Sequence, residues 1–187
     1  MANRGVLAVE GGSFSKGVDK FALVAFLLTD GIQPKSLIMK RVEVDGLDAT
    51  LRLIETIEEL NREVDVVISS SIPIAGFNLL DSKEVLKKFR IPSIFVLGER
   101  PDQGAVRAAL KKHFIDWGKR IRIIEGAGEF HELPLGGENA VLLECAGIKP
   151  AEAMRLVKRL TIFGRVPEPV RIARMVARTV SCVKVKS

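Results

Sequence analysis

The chain has 187 residues, with 29 lysines and arginines against 23 aspartates and glutamates, a net charge of +6 and 47% hydrophobic residues. A chain this apolar can bury enough surface to offset its conformational entropy, which excludes a disordered basic tail, and its length suits one medium domain over residues 1–187. The longest apolar run, Phe21 to Leu28, is far shorter than the roughly 20 residues that cross a bilayer, and Met1-Ala2-Asn3-Arg4 leads straight into a strand-like segment rather than a signal peptide, so a soluble, cytoplasmic protein with no membrane partner is expected.

Taken in chain order, Val6 to Val9, Lys20 to Leu28 and Ser36 to Val44 read as strands, because they are rich in aliphatic residues and separated by glycine-containing turns. Leu47 to Asn61 follows helical spacing through Leu51, Ile54 and Ile57, with Asp48 placed to cap it and Arg52, Glu55, Glu59 and Arg62 on a charged face. Val64 to Ile68 reads as a fourth, buried strand closed by Ser69-Ser70-Ser71. A helix over Ser82 to Phe89 and a strand over Ser93 to Leu97 come next, then a helix capped by Asp102 and running to about His113. Ile121 to Ile124 and Ala140 to Cys145 look like further strands, joined by a connection containing Gly126, Gly128, Gly136 and Gly137. Helices near Ala151 to Leu160 and Pro167 to Val180 end the pattern, whose βββαβαβα order predicts a mixed α/β sheet with helices on its faces.

The chemistry-bearing residues are few. Two cysteines, Cys145 and Cys182, and two histidines, His113 and His131, form no zinc-binding spacing, and no phosphate-binding GxxxxGK[ST] loop occurs. Sites in such sheets lie at strand ends. Glu10 ends the first strand before Gly11-Gly12-Ser13, either as a ligand-facing carboxylate or as a solvated turn residue. Ser69 to Ser71 end the fourth strand and either bind phosphate or terminate the strand. Asp45 and Asp48 flank Gly46 where two carboxylates could meet a metal, or where one turns the chain and the other caps a helix. The positive charge is concentrated at the C-terminus: ten basic and two acidic residues from Lys149 to Ser187 carry +8, which leaves −2 for the rest. On the last helix Arg171, Arg174 and Arg178 share one side, opposite Ile172, Ala173, Val176, Ala177 and Val180. Guanidinium groups in such a stripe suit phosphates, whereas one Trp, Trp117, and no Tyr make a base-stacking platform unfavourable.

Several strings together resemble the archaeal endonuclease dU family: Val44-Asp45-Gly46-Leu47-Asp48-Ala49-Thr50, Ala75-Gly76-Phe77-Asn78, Arg100-Pro101-Asp102 with Ala108 to Phe114, Ala146-Gly147-Ile148, and Val166-Pro167-Glu168-Pro169-Val170-Arg171-Ile172-Ala173. The resemblance implies a ribonuclease H-like, endonuclease V-like fold in which carboxylates ending the first and fourth strands hold Mg²⁺ or Mn²⁺ for phosphodiester hydrolysis in DNA or RNA. It places Glu10 and Gly11 where relatives carry Asp-Asp, Ser70 where they carry a further aspartate, and Arg174 where many carry histidine. The candidate catalytic set is therefore Glu10, Asp45, Asp48 and Ser70, with Glu10, Asp45 and Asp48 as candidate metal ligands. Arg100, Arg171, Arg174 and Arg178 are the candidate nucleic-acid contacts. The acidic centre is depleted, so three functions remain open: a metal-dependent endonuclease with weakened or lost catalysis, a non-catalytic nucleic-acid binder or repair accessory, and a small-molecule hydrolase or binding module built on Ser70 and the glycine loops.

Overall fold

Alternation along β1 (Gly5–Gly11) sends Leu7 and Val9 into one apolar layer and Val6 and Ala8 into another, all four fully buried. A strand buried on both faces belongs at the middle of a sheet, and β1 lies there. The computed structural model describes residues 5–61, 63–136 and 139–183. Met1 to Arg4, Arg62, Gly137 and Ser187, named above, lie outside the described residues.

The first three strands, β1, β2 (Phe21–Asp30) and β3 (Gln33–Glu43), form an antiparallel meander. The chain then crosses over through α1 (Ala49–Glu59) to β4 (Val66–Ser69), which pairs parallel with β1. A small hairpin, β5 (Pro73–Ala75) and β6 (Asn78–Leu79), precedes α2 (Ser82–Phe89) and β7 (Ser93–Leu97), the latter parallel to β4. Helices α3 (Gln103–His113) and α4 (Trp117–Glu125) follow, then the antiparallel pair β8 (His131–Gly136) and β9 (Asn139–Ala146), with β9 against β7. The last helices are α5 (Pro150–Leu160) and α6 (Glu168–Cys182). The seven-stranded sheet has the order β3-β2-β1-β4-β7-β9-β8. One face carries α1, α2 and α4 through Leu53, Ile57, Val85 and Ile123, and the other carries α5 and α6 through Leu156, Val157, Val170 and Ala173. The mixed, helix-flanked sheet expected from the sequence is therefore present.

Three local expectations are corrected. Ile121 to Ile124 is part of a helix, because Trp117, Ile121 and Ile124 recur at helical spacing and Arg120, Ile121 and Ile123 are buried there. The connection containing Gly126, Gly128 and Gly136 includes a strand, β8. Asp48 precedes α1, yet its side chain makes no capping bond to that helix. Asp81 does cap α2, its Oδ1 accepting from the backbone N–H groups of Lys83 at 3.0 Å and Glu84 at 3.1 Å. Asp81→Ala should lower stability by about 1 kcal/mol in a urea titration, and an unchanged midpoint would show that α2 does not need the cap.

Candidate functional site: the carboxyl ends of β1 and β4

In the parallel pair of β1 and β4, Val9 stands beside Ser69, so the next residues, Glu10 and Ser70, emerge side by side. Period-two alternation turns Glu10 to the side of Val6 and Ala8, the face covered by α6. Only 3% of Glu10 is exposed, and its carboxylate is fully engaged. Oε1 accepts from the Ser70 backbone N–H at 2.7 Å, and Oε2 accepts from the Ser70 hydroxyl at 2.9 Å and from Arg174 Nε at 3.0 Å. Arg174 reaches this carboxylate from α6 with 29% of its side chain exposed. Its two Nη nitrogens bond no other described residue.

Arg174 therefore differs from the other arginines of its helix. Arg171 is held by a two-point ion pair to Glu168 on the same helix, and this pair keeps the Glu168 carboxyl below the usual carboxylate range. Arg178 is exposed. The apolar side of α6 is also narrower than the spacing suggests: Ala173 and Ala177 are buried, whereas Val180 is 41% exposed. Arg100 lies elsewhere, on the loop after β7, with its guanidinium 4.6 Å above the Phe130 ring. The structure thus does not unite Arg100 with the α6 arginines.

Asp45 and Asp48 belong to a different network, the junction of β3 and α1 with the β5–β6 hairpin. Asp45, at φ +61°, accepts from the Phe77 N–H at 2.7 Å, and its own N–H donates to Ala75 O at 3.0 Å. A side chain at Gly76 would stand 2.1 Å from Asp45 Oδ1. Asp48 Oδ1 accepts from Glu43 N–H at 3.0 Å and from Asn78 Nδ2 at 2.6 Å, while Asn78 Oδ1 accepts from Ala49 N–H at 2.9 Å and so satisfies the start of α1. Buried Arg120 closes the clasp, donating to Gly46 O at 3.0 Å and Phe77 O at 2.6 Å and pairing with Asp116 at 2.9 Å. These carboxylates turn and pin the chain.

The donor set does not fit a resident divalent cation. Among the described residues no group of three or more His, Cys, Asp or Glu side chains is gathered, so Glu10, Asp45 and Asp48 do not share a metal site. Magnesium prefers several oxygen ligands in near-octahedral array, yet the one acidic group here already accepts three hydrogen bonds and lies against a guanidinium. Asp102, another residue kept from the family strings, caps α3 by accepting from Ala105 N–H at 2.9 Å.

One titratable group escaped the sequence reading. Glu144 of β9, inside an apolar run, is 4% exposed and accepts no hydrogen bond from a described residue. Desolvation pushes its carboxyl up to about 7, against the pull of the Arg100 charge. The signal was a glutamate within the otherwise apolar stretch Val141 to Cys145, on the opposite sheet face from Leu143.

The helix-flanked mixed sheet matches the fold of endonuclease V structures. The chain covers 95% of its length on the endonuclease V of Ciona intestinalis solved with inosine-containing DNA, with TM-score 0.64, 12% identity and 85% of that chain covered. Human endonuclease V gives TM-score 0.60 at 14% identity, with 96% and 85% covered. A structure of a protein of unknown function from Archaeoglobus fulgidus is more similar, with TM-score 0.83, 30% identity and coverage of 95% and 98%. Among sequences, a UPF0215 protein of Pyrococcus horikoshii is 32% identical over 181 residues, 95% of this chain and 92% of that protein, and one of Pyrococcus furiosus is 31% identical over 179 residues, 94% and 91%. The endonuclease dU family matches residues 3–181, and the chain belongs to that family.

Proposed function

We propose that this protein, acting as one domain, is a nucleic-acid-binding member of the endonuclease dU family. It grips the phosphate backbone with the arginines of α6, and among the described residues no centre of paired carboxylates is gathered for hydrolysis. The observation that carries this reading is the engagement of the Glu10 carboxylate by Ser70 and Arg174. An arginine stands beside the carboxylate where a metal-dependent nuclease needs a cation. A guanidinium can neutralise a phosphate and present two donors to it, but it cannot lower the pKa of a bound water as a metal ion does. The endonuclease V found with inosine-containing DNA supports nucleic acid as the partner class, and no helix among the described residues is long and apolar enough to cross a membrane.

Binding to a fluorescent DNA or RNA oligonucleotide tests the reading by anisotropy over a salt series. If Arg171, Arg174 and Arg178 each meet one phosphate, affinity falls about fortyfold between about 50 and 200 mM salt, and Arg171→Glu with Arg178→Glu lowers the slope by about 1.8. Salt-independent or absent binding overturns it. Incubating deaminated and structured substrates with Mg²⁺ or Mn²⁺ tests the rival reading of a live endonuclease. Cleavage that disappears in Glu10→Ala would establish that rival.

A further inference from the structure

Strand β3 ends the sheet on one side, and its outer edge faces no other strand among the described residues. The Val44 N–H donates to Lys20 O at 2.9 Å, and the register with β2 runs unbroken from Glu43 back to Ser36. Antiparallel alternation therefore turns the N–H and C=O groups of Ile38, Lys40 and Val42 toward β2 and those of Leu37, Met39 and Arg41 outward. No described residue bonds these outward groups. Both ends of the edge are closed. Glu43 is taken, its N–H donating to Asp48 Oδ1 and its C=O accepting from Gly46 N–H at 3.1 Å and Asn78 Nδ2 at 2.8 Å. At the other end Pro34 has no N–H to give, and the ladder shifts register at Leu28 and Thr29. What stays open is a window centred on Met39.

We infer that two copies of this chain associate through that window, β3 pairing antiparallel with β3 about a two-fold axis at Met39. The axis sets Leu37 opposite the partner's Arg41 and Met39 opposite the partner's Met39. Outward groups then meet outward groups, and each pair exchanges both N–H···O bonds. Neighbouring registers fail: an axis at Lys40 spends Leu37 on the occupied Glu43, and one at Ile38 sets Lys35 against the partner's Arg41. The Met39 register places exposed Lys35 opposite the partner's Glu43 instead, an attractive pair formed twice by symmetry. Leu37, 44% exposed, gains cover from the aliphatic stem of the partner's Arg41. On the other face Lys40 is already neutralised by Glu55 and Glu59 of α1. Opposite residues share a sheet face, so both α6 helices, which pack on the Met39 side, cover the same face of the joined sheet. The far edge, β8, carries Pro134, which cannot donate to a further strand, so the association closes as a symmetric pair.

This inference goes beyond the phosphate reading and stands or falls without it, because the readout is mass in the absence of nucleic acid. Sedimentation velocity of the full chain is run from about 1 to about 300 µM, with reductant present so that exposed Cys182 links no chains. Rising concentration should convert the 20.5 kDa monomer into a species of twice that mass. Leu37→Lys sets a like charge against the partner's Arg41 at both symmetric positions and should weaken association about fivefold or more, whereas Leu37→Glu should strengthen it by a similar factor. Lys35→Glu and Glu43→Lys should each weaken it severalfold. Their combination should restore it, because the double exchange rebuilds the opposite-charge pair between copies. Far-UV circular dichroism shows that each variant is folded, and the exposed Leu37, Lys35 and Glu43 positions carry no core packing. A monomer across the whole range overturns the inference. So does a dimer unmoved by both Leu37 variants, or a double exchange that fails to regain what the single ones lose.

Discussion

Arg174→Ala should destabilise the protein by about 3 kcal/mol, roughly 6–12 °C in Tm for a chain of this size, because it leaves the Glu10 carboxylate buried with no counter-charge. The reverse deletion is milder. Glu10→Gln retains an acceptor for the Ser70 N–H, and Arg174, with 29% of its side chain exposed, can turn toward water, so about 1.5 kcal/mol or less is expected. Urea titrations of both variants and of the double variant measure the asymmetry. If Arg174→Ala stays within about 0.5 kcal/mol of the parent, the ion pair does not hold α6 against the strand ends. The same experiment bears on function: a centre whose only carboxylate depends on an arginine for its burial has no vacant ligand to give a cation.

Gly11→Asp restores the acidic residue that the family resemblance places there, and it should damage the fold instead of reviving a metal site. A Cβ at Gly11 would lie 2.1 Å from Ile74 O and 3.2 Å from Ile74 C. Both atoms are backbone of β5, so no side-chain rotation relieves the clash, and the hairpin must leave β1 at a cost of about 3 kcal/mol or more. Gly11→Ala should cost nearly as much, which separates the clash from the added charge. A folded Gly11→Asp variant whose Tm rises with Mn²⁺ would contradict this account, since ligand-linked stabilisation requires a site formed in the native state. Glycine at this position is thus required by the close approach of the β5–β6 hairpin.

Much of the scaffold is legible in local spacing. The bounds of α2 at Ser82–Phe89 and β7 at Ser93–Leu97 match the sequence reading, because Asp81 starts one helix, Arg90 in the left-handed region ends it, and Pro92 leads into the strand. Ile121 to Ile124 misled because a four-residue apolar run fits a strand or one side of a helix equally well, and the decision came from packing of α4 beside Arg120 and Phe77. Asp45 and Asp48 were plausible metal ligands for a similar reason: sequence shows two nearby carboxylates, whereas the hydrogen bonds that consume them come from Phe77 and Asn78, 32 and 30 residues away.

By itself the sequence determined the mixed α/β class, the concentration of positive charge after Lys149 and the family membership, since all three are written in short segments and composition. Tertiary structure alone decided what each ionisable group does. Strand register set Glu10 beside Ser70, and α6 brought Arg174 to it across 164 positions of chain. The pleat of β9 turned Glu144 into an apolar cleft on the other face. A carboxylate's role depends on which donors surround it and how much water it keeps, and both are properties of packed neighbours distant in the chain.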